Sequence, residues 1–486
     1  MRELLSLINF DNQTSRSVAR KLRAEGYFCL VGAADSSAEQ SLDGEIKGLV
    51  LCGGSTGQPI VIPNLPDYLS SGLPLLALGD AALTLCRYWD GETAPFSDQP
   101  QAVQIAFDRN DPLVGKIDQS ERYLPAPTEM RPGSNCRVIA TCNDHVLGIA
   151  SAEAPVFALA FQVENNDPDG AHILVQFADQ ICRCTPWWSE SAYIDMAVEE
   201  IRMAAEGGDG LCAISGGIDS AVCAALGAKA LGDRMYCLFV DTGLLRIGEA
   251  DDAIRNIQTI PGLRVLRVDA REEFLQALEG VSDPAEKQLI VYSRLRAHMR
   301  HQVSQMENVR VILQGTNYSD VFGRNISLKT ELPSARVRLL EPVRYLFKDE
   351  IRRIGEALGL PESLCHRQPF PSAGLAQRIY SAITAERLRI LGEADQILRE
   401  EIEGGGYNKR LWQYYAMMAD DPIPGDNGYI VLLRAVQAME SGAVSARLPA
   451  DVVERIASRI LKSEPQVRRV LYDLTPSHTY GRVEWG

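Results

Sequence analysis

The chain has 486 residues, 46% of them hydrophobic and 23% charged, with a formal net charge of −15. That length predicts roughly three domains, each able to bury its own core. The acidic balance and a pI of about 5.0 argue against a nucleic-acid surface, which is usually basic, but leave room for a nucleotide held by a local basic site. No apolar run reaches membrane-spanning length. The opening MRELLSLINFDNQ has no basic n-region, long apolar stretch or cleavage site, so no signal peptide is expected. The eleven cysteines are odd in number and scattered. Cys182 and Cys184 form the one close pair, which is weak for zinc without a distant partner. Reduced thiols in a cytoplasmic protein are the simplest expectation.

Leu4 to Phe10 reads as a buried strand, followed by a polar turn and a helix from Ser15 to Glu25. Further strands are expected at 27–31, 46–52 and 73–78, with a helix over 81–88. This β-α-β alternation predicts an open α/β sheet. From about Gln104 to Phe177 the runs are shorter and strand-like. A boundary is expected near Thr185-Pro186-Trp187-Trp188. Ile194, Ala197, Ile201 and Ala204 then share one face of a helix over 192–205. From Gly210 to about Pro361 the alternation repeats, with strands at 211–214, 235–240, 264–268 and 309–314. Beyond Leu375 the pattern becomes α+β: a long helix over 385–404, a strand over 429–435, a helix over 450–462, and strands at 468–474 and 482–485. These elements are few for a large core, which points to dimerisation.

The most informative segment is Ser215-Gly216-Gly217-Ile218-Asp219-Ser220, set between the apolar run 211–214 and an Ala-rich helical stretch. A strand that enters a Gly-Gly turn and then a helix makes an anion cradle, because backbone N–H groups and the helix N-terminus converge there. Ser215 and Ser220 add hydroxyls. Asp219 would repel bare phosphate, so it is expected to meet phosphate-bound Mg²⁺. The absence of a Gly-Lys-Ser/Thr ending excludes a Walker loop. The segment resembles the signature of the PP-loop ATP pyrophosphatases, which cleave ATP between its α and β phosphates.

The resemblance extends along the chain. Phe239-Val240-Asp241-Thr242-Gly243-Leu244-Leu245-Arg246, then Leu313-Gln314-Gly315-Thr316-Asn317-Tyr318-Ser319-Asp320, then Phe347-Lys348-Asp349-Glu350-Ile351-Arg352 follow in order. Arg367-Gln368-Pro369-Phe370-Pro371, Val470-Leu471-Tyr472-Asp473 and Val483-Glu484-Trp485 complete the set. Together they resemble the GMP synthetase family over essentially the full length. The resemblance implies a class I glutamine amidotransferase domain over 1–185, a PP-loop ATP pyrophosphatase domain with a doubly wound parallel sheet over 186–374, and a small α+β dimerisation domain over 375–486. It implies ATP and Mg²⁺, a nucleotide-like acceptor and a homodimer. In that family ATP adenylates the 2-oxo group of XMP, and ammonia displaces AMP. Lys348 stands where the family places a pyrophosphate-contacting lysine, against the plainer reading of an exposed helix lysine. Ser215, Gly216, Gly217, Ile218, Asp219, Ser220, Val240, Asp241, Gly315, Thr316 and Lys348 fall on the ATP side, with Asp219 and Lys348 expected to be catalytic. Asp320, Lys329, Arg367, Arg482 and Glu484 fall on the acceptor side.

Two departures stand out. The amidotransferase triad of the family is a cysteine, a histidine and a glutamate; here the three positions are Gly79, Gln162 and Glu164. A class I amidotransferase needs the thiolate to form a glutamyl thioester, so glutaminase activity is expected to be lost. Gly53-Gly54 resemble the oxyanion turn, with Ser55 in place of the usual proline. The acceptor side is also changed: the loop Val321 to Pro333 is short, and the C-terminal lysine expected on the XMP phosphate is absent, leaving Arg482 or His478 as substitutes. Three readings stay open: ammonia-dependent GMP synthesis, with ammonia free or from a separate protein; a repurposed ligase with another acceptor or a sulfur nucleophile; and a non-catalytic nucleotide-binding regulator. Among Cys212, Cys237 and Cys365, only Cys365, in a polar turn beside His366 and Arg367, suggests a lowered thiol pKa.

Overall fold

The computed structural model describes residues 3–35, 45–163, 168–322, 336–371, 373–421, 428–439 and 442–476. Contacts divide the chain into two compact units, Met1–Ala192 and Tyr193–Gly486.

In the first unit, β1 (Leu4–Asn9), β2 (Cys29–Ala33), β3 (Ile46–Cys52) and β4 (Leu75–Leu78) precede a hairpin-rich region. That region holds β5 (Glu92–Pro95), β6 (Gln101–Phe107), β7 (Gln119–Leu124), β8 (Thr128–Arg131), β9 (Cys136–Cys142), β10 (His145–Ser151) and β11 (Val156–Leu159). Nine strands form one open sheet, ordered β2-β1-β3-β4-β11-β10-β9-β6-β7. Its β2-to-β11 half is parallel. The β4 and β11 runs are wholly buried, as expected of strands covered on both faces. The β6 and β7 strands alternate buried and exposed residues and pair antiparallel. The first helix, Asn12–Ala24, begins three residues before its expected start, because the Asp11 carboxylate caps it by accepting from Thr14 N at 2.8 Å. Phe177 is not strand-like. A helix, Pro168–Gln176, runs into a π-helical turn, Phe177–Ile181. Ile173, Leu174, Phe177 and Ala178 are buried at helical spacing, a period obscured by the short strands before it.

The second unit opens with β12 (Asp209–Ile214), β13 (Met235–Asp241), β14 (Leu263–Asp269), β15 (Val309–Leu313) and β16 (Arg338–Leu340). They form an all-parallel sheet, β14-β13-β12-β15-β16. The chain winds outward from β12 in both directions, so the order reverses between β12 and β15. Ligands of open α/β sheets bind at such a point. The helix Ile218–Leu231 leaves β12 there; it is apolar and buried nearly all round, so it serves as core.

The C-terminal sheet contains β17 (Gln413–Asp420), β18 (Tyr429–Met439), β19 (Gly442–Ser445) and β20 (Val467–Tyr472), with β18 central. The sequence reading missed β17. Its first six residues are all buried, so it shows no alternation to mark a strand. The C-terminal elements do not stand apart as a small core. Leu244, Phe274 and Val291 share one apolar cluster with Ile390, Leu398, Ala416, Val431 and Ile456. The expected strand over 482–485 lies outside the described residues. Among those described, no helix is long and apolar enough to cross a membrane.

Candidate active site

The Ser215–Ser220 loop is shaped by two glycines. Gly216 has φ +77°, and an added Cβ would meet the Arg367 guanidinium at 2.9 Å. Gly217 is the N-cap of the helix Ile218–Leu231 and has extended backbone. The Ser220 hydroxyl works inside the loop: it donates to Gly217 O at 3.1 Å and accepts from Ser215 N at 3.3 Å. Ser215 Oγ accepts from Gly217 N at 3.4 Å.

Across the switch point, the exit of β15 passes against this loop. A Cβ on Gly315 would lie 2.9 Å from Asp219 C and Ser220 N. Gly315→Ala is therefore expected to displace the loop, at a cost of about 1–3 kcal/mol for overpacking, and to weaken ATP binding with it. A melting curve and an ATP titration check this; unchanged affinity would remove Gly315 from the site. Thr316 is buried and its hydroxyl accepts from Gln314 Nε2 at 2.8 Å. Asn317 Nδ2 donates to Asp219 Oδ2 at 3.3 Å.

Lys348 is the first residue of the helix Lys348–Ala357. Glu350 caps this helix by accepting from Phe347 N at 2.8 Å. Gly355 brings it against the loop helix, with room for no Cβ nearer than 3.0 Å to Ile218. That packing aims Lys348 at Asp219: Nζ lies 2.8 and 2.6 Å from the two carboxylate oxygens. Both groups are partly exposed, so the pair is accessible to a ligand. A cation and an anion beside a backbone anion cradle suit a polyphosphate carrying a divalent ion. Among the described residues no cluster of three or more His, Cys, Asp or Glu is placed to hold a metal by itself.

The remaining sequence candidates fall in different places. Val240 and Asp241 end β13. The Asp241 carboxylate is buried, facing Arg267 at 3.1 Å and accepting from Gly243 N at 3.2 Å. Asp320 Oδ2 accepts from Asn317 N at 3.0 Å, a turn-stabilising contact. Arg367 donates to Gly216 O and pairs with Glu249, so it faces the nucleotide loop. Lys329, His478, Arg482, Glu484 and the amidotransferase position Glu164 lie outside the described residues. The sequence reading passed over Asn317 and Glu249. Asn317 lay inside a quoted motif; Glu249 had only its spacing of three from Arg246 to mark it. Cys365 does not have a lowered pKa. It is buried, and desolvation pushes its thiol up. Burial likewise pushes Cys212 up to about 12, and Cys237 upward.

The turn where the resemblance places a nucleophile elbow is sharp. Gly79, between β4 and the helix Asp80–Tyr88, has φ +58° and ψ −128°, a strained strand-to-helix conformation. A Cβ there would lie 2.1 Å from Gly54 O and 2.8 Å from Gln162 Nε2. Gln162 Nε2 donates to Gly54 O at 2.9 Å. Asp80 N–H, the donor that follows the nucleophile position in such elbows, donates to the same carbonyl at 2.9 Å. The Asp80 carboxylate holds the adjoining loop, accepting from Thr56 N, Thr56 Oγ1 and Gly57 N at 2.8–2.9 Å. What remains is a cavity of about 20 Å³ against Gly79, Asp80, Tyr123, Phe161 and Gln162, about the room of one water.

A doubly wound sheet, a Gly-Gly loop at its switch point and an Asp–Lys pair beside it define a PP-loop enzyme of the ATP pyrophosphatase class. Residues 200–402 match the NAD synthase family and residues 400–485 the GMP synthase C terminal domain. A GMP synthase [glutamine-hydrolyzing] of Caldicellulosiruptor saccharolyticus is 33% identical, covering 99% of both chains. The enzyme so named from Caldanaerobacter subterraneus subsp. tengcongensis is 31% identical over 100% of this chain and 99% of its own. That from Thermomicrobium roseum is 33% identical over 99% of this chain and 96% of its own. The chain belongs to the GMP synthase family, whose members are ATP-dependent ligases.

Proposed function

We propose that this protein is an AMP-forming C–N ligase that takes ammonia from outside its own first unit. The acceptor oxo oxygen, on a purine nucleotide or a related small molecule, attacks the α-phosphorus of ATP. The bond to the β-phosphate oxygen breaks, and pyrophosphate leaves. The adjacent ring N–H gives up its proton to solvent; ammonia then adds to the activated carbon, AMP leaves with the former oxo oxygen, and the new nitrogen gives up a second proton to solvent. A neutral carbonyl oxygen is a poor leaving group; AMP is a good one. Lys348 and the loop N–H groups face the charge that develops on pyrophosphate. Mg²⁺, bound with the nucleotide against Asp219, would neutralise further phosphate charge.

The observation that carries this reading is the contrast between the two sites. The PP-loop cradle keeps its glycines and its Asp219–Lys348 pair. The elbow has Gly79 for a nucleophile, an amide at Gln162, and a carbonyl, Gly54 O, on its oxyanion donor. The buried thiols at Cys212, Cys237 and Cys365 favour ammonia over sulfur as the nucleophile. We also propose the three-part division at 185 and 374, a homodimer, and a separate ammonia-supplying protein in the cytoplasm.

The test is pyrophosphate release by the purified protein with ATP, Mg²⁺ and XMP. Ammonium is expected to support release and GMP formation, while glutamine alone is not. Turnover with glutamine as sole nitrogen source would sink the retired-elbow claim. Pyrophosphate release with an oxo-substrate other than XMP, and none with XMP, would move the acceptor to the alternative class.

A further inference from the structure

The nucleotide loop is tied to the C-terminal sheet by a buried run of alternating charges. Arg367 donates to the Gly216 carbonyl and pairs with Glu249. Glu249 Oε2 accepts from Arg246 N at 2.9 Å. Arg246 Nε donates to Asp395 Oδ2 at 2.8 Å, with the two side chains only 4% and 2% exposed. Asp395 Oδ1 accepts from Ala416 N at 3.0 Å, within β17. A second route runs beside the first. Gln368 adjoins Arg367 and brackets the neighbouring β17 residue, donating to Tyr414 O at 2.8 Å and accepting from Tyr414 N at 2.9 Å. Phe370 lies under the Arg246 guanidinium at 4.2 Å.

We infer that Arg367, Glu249, Arg246 and Asp395 are positioning residues that set the conformation of the nucleotide loop from the C-terminal sheet. The peptide plane supplies the reason. A carbonyl and the next N–H point in opposite directions, so pinning Gly216 O fixes the direction of Gly217 N–H, which meets Ser215 Oγ at 3.4 Å inside the loop. Gly216, at φ +77°, has no side chain to lock this peptide, so its orientation depends on the bonds made by its own carbonyl and the next N–H. The charges alternate in sign, and each is buried or partly buried, so removing one strips its neighbour of an ion partner in a poorly solvated site. A disturbance at β17 therefore reaches the loop, and by linkage nucleotide binding biases β17 equally. The inference rests on the ATP-site reading above.

A double-mutant cycle tests it, using the full chain and Mg-ATP as the probe. Wild type, Arg367→Gln, Asp395→Asn and the double variant are compared for Mg-ATP affinity, with melting curves to confirm folding. Asp395→Asn, remote from the loop, is expected to weaken Mg-ATP by at least about fivefold. Its effect should largely vanish in the Arg367→Gln background. The KM for ATP should rise while the KM for ammonium stays put, a split that a general loss of packing does not produce. If Asp395→Asn does not fold, Gln368→Ala, which cuts the second route without unpairing a charge, takes its place in the cycle. Additive effects, or affinity within about twofold of wild type, overturn the inference. A wild-type protein that fails to bind Mg-ATP overturns the ATP-site reading itself, and this inference with it.

Discussion

Lys348→Ala is expected to lower turnover by about 10²–10³-fold, the usual cost of removing a preorganised group from developing charge. Lys348 Nζ contacts both oxygens of Asp219. It sits at the start of a helix that Glu350 caps and Gly355 packs against the nucleotide loop. None of those supports involves the lysine charge, so the helix should survive the substitution. The ion pair is partly exposed, and such a pair contributes at most about 1 kcal/mol to stability. The expected result is therefore a near-wild-type melting curve with pyrophosphate release almost abolished. Asp219→Asn should give a comparable loss, accompanied by a raised Mg²⁺ requirement that Lys348→Ala does not share. Wild-type pyrophosphate release in either variant would remove that residue from the mechanism. A loss of activity matched by a loss of fold would make its role structural.

Rebuilding the family's nucleophile and base in the first unit, as Gly79→Cys with Gln162→His, is expected to destabilise that unit without restoring glutaminase activity. Two costs combine. A side chain at φ +58°, ψ −128° carries about 1–3 kcal/mol of backbone strain. The new Cβ would also lie 2.1 Å from Gly54 O, so the turn must move, at about 1–3 kcal/mol more. Replacing Gln162 removes one contact at 2.8 Å but leaves the carbonyl in place. That carbonyl already accepts from Asp80 N–H, so a tetrahedral oxyanion would find its donor taken. The Asp80 bonds to Thr56 and Gly57 hold the neighbouring loop in this arrangement. Denaturant melts of the single and double variants, with glutamate release as the activity readout, check both parts. A double variant as stable as wild type that hydrolyses glutamine would show that the elbow was lost in two residues only.

Much of this protein was legible in the sequence because its signals are local. Gly-Gly between an apolar run and an Ala-rich helix has few physical solutions, and the structure places Ser215–Ser220 in the expected strand-turn-helix. Gly79 and Gln162 carry neither a thiol nor an imidazole, which residue type alone makes plain. What sequence could not supply were contacts between distant segments, because no spacing rule relates residues 54, 79 and 162, or 216, 367, 249 and 395. The inward-facing Gly54 carbonyl depends on a peptide orientation, and peptide orientation carries no residue signature. Arg367 read as an acceptor-side residue because it sits in a motif near Pro369; only packing turned it toward Gly216. Cys365 admitted a reactive reading only as the lesser alternative, on its polar sequence neighbours, whereas its spatial neighbours bury it. β17 was missed because a strand covered on both faces has no alternation. The sequence by itself determined the chemistry available at each position; the tertiary structure decided which of those groups meet, since burial and pairing belong to the folded neighbourhood and not to the order of residues along the chain.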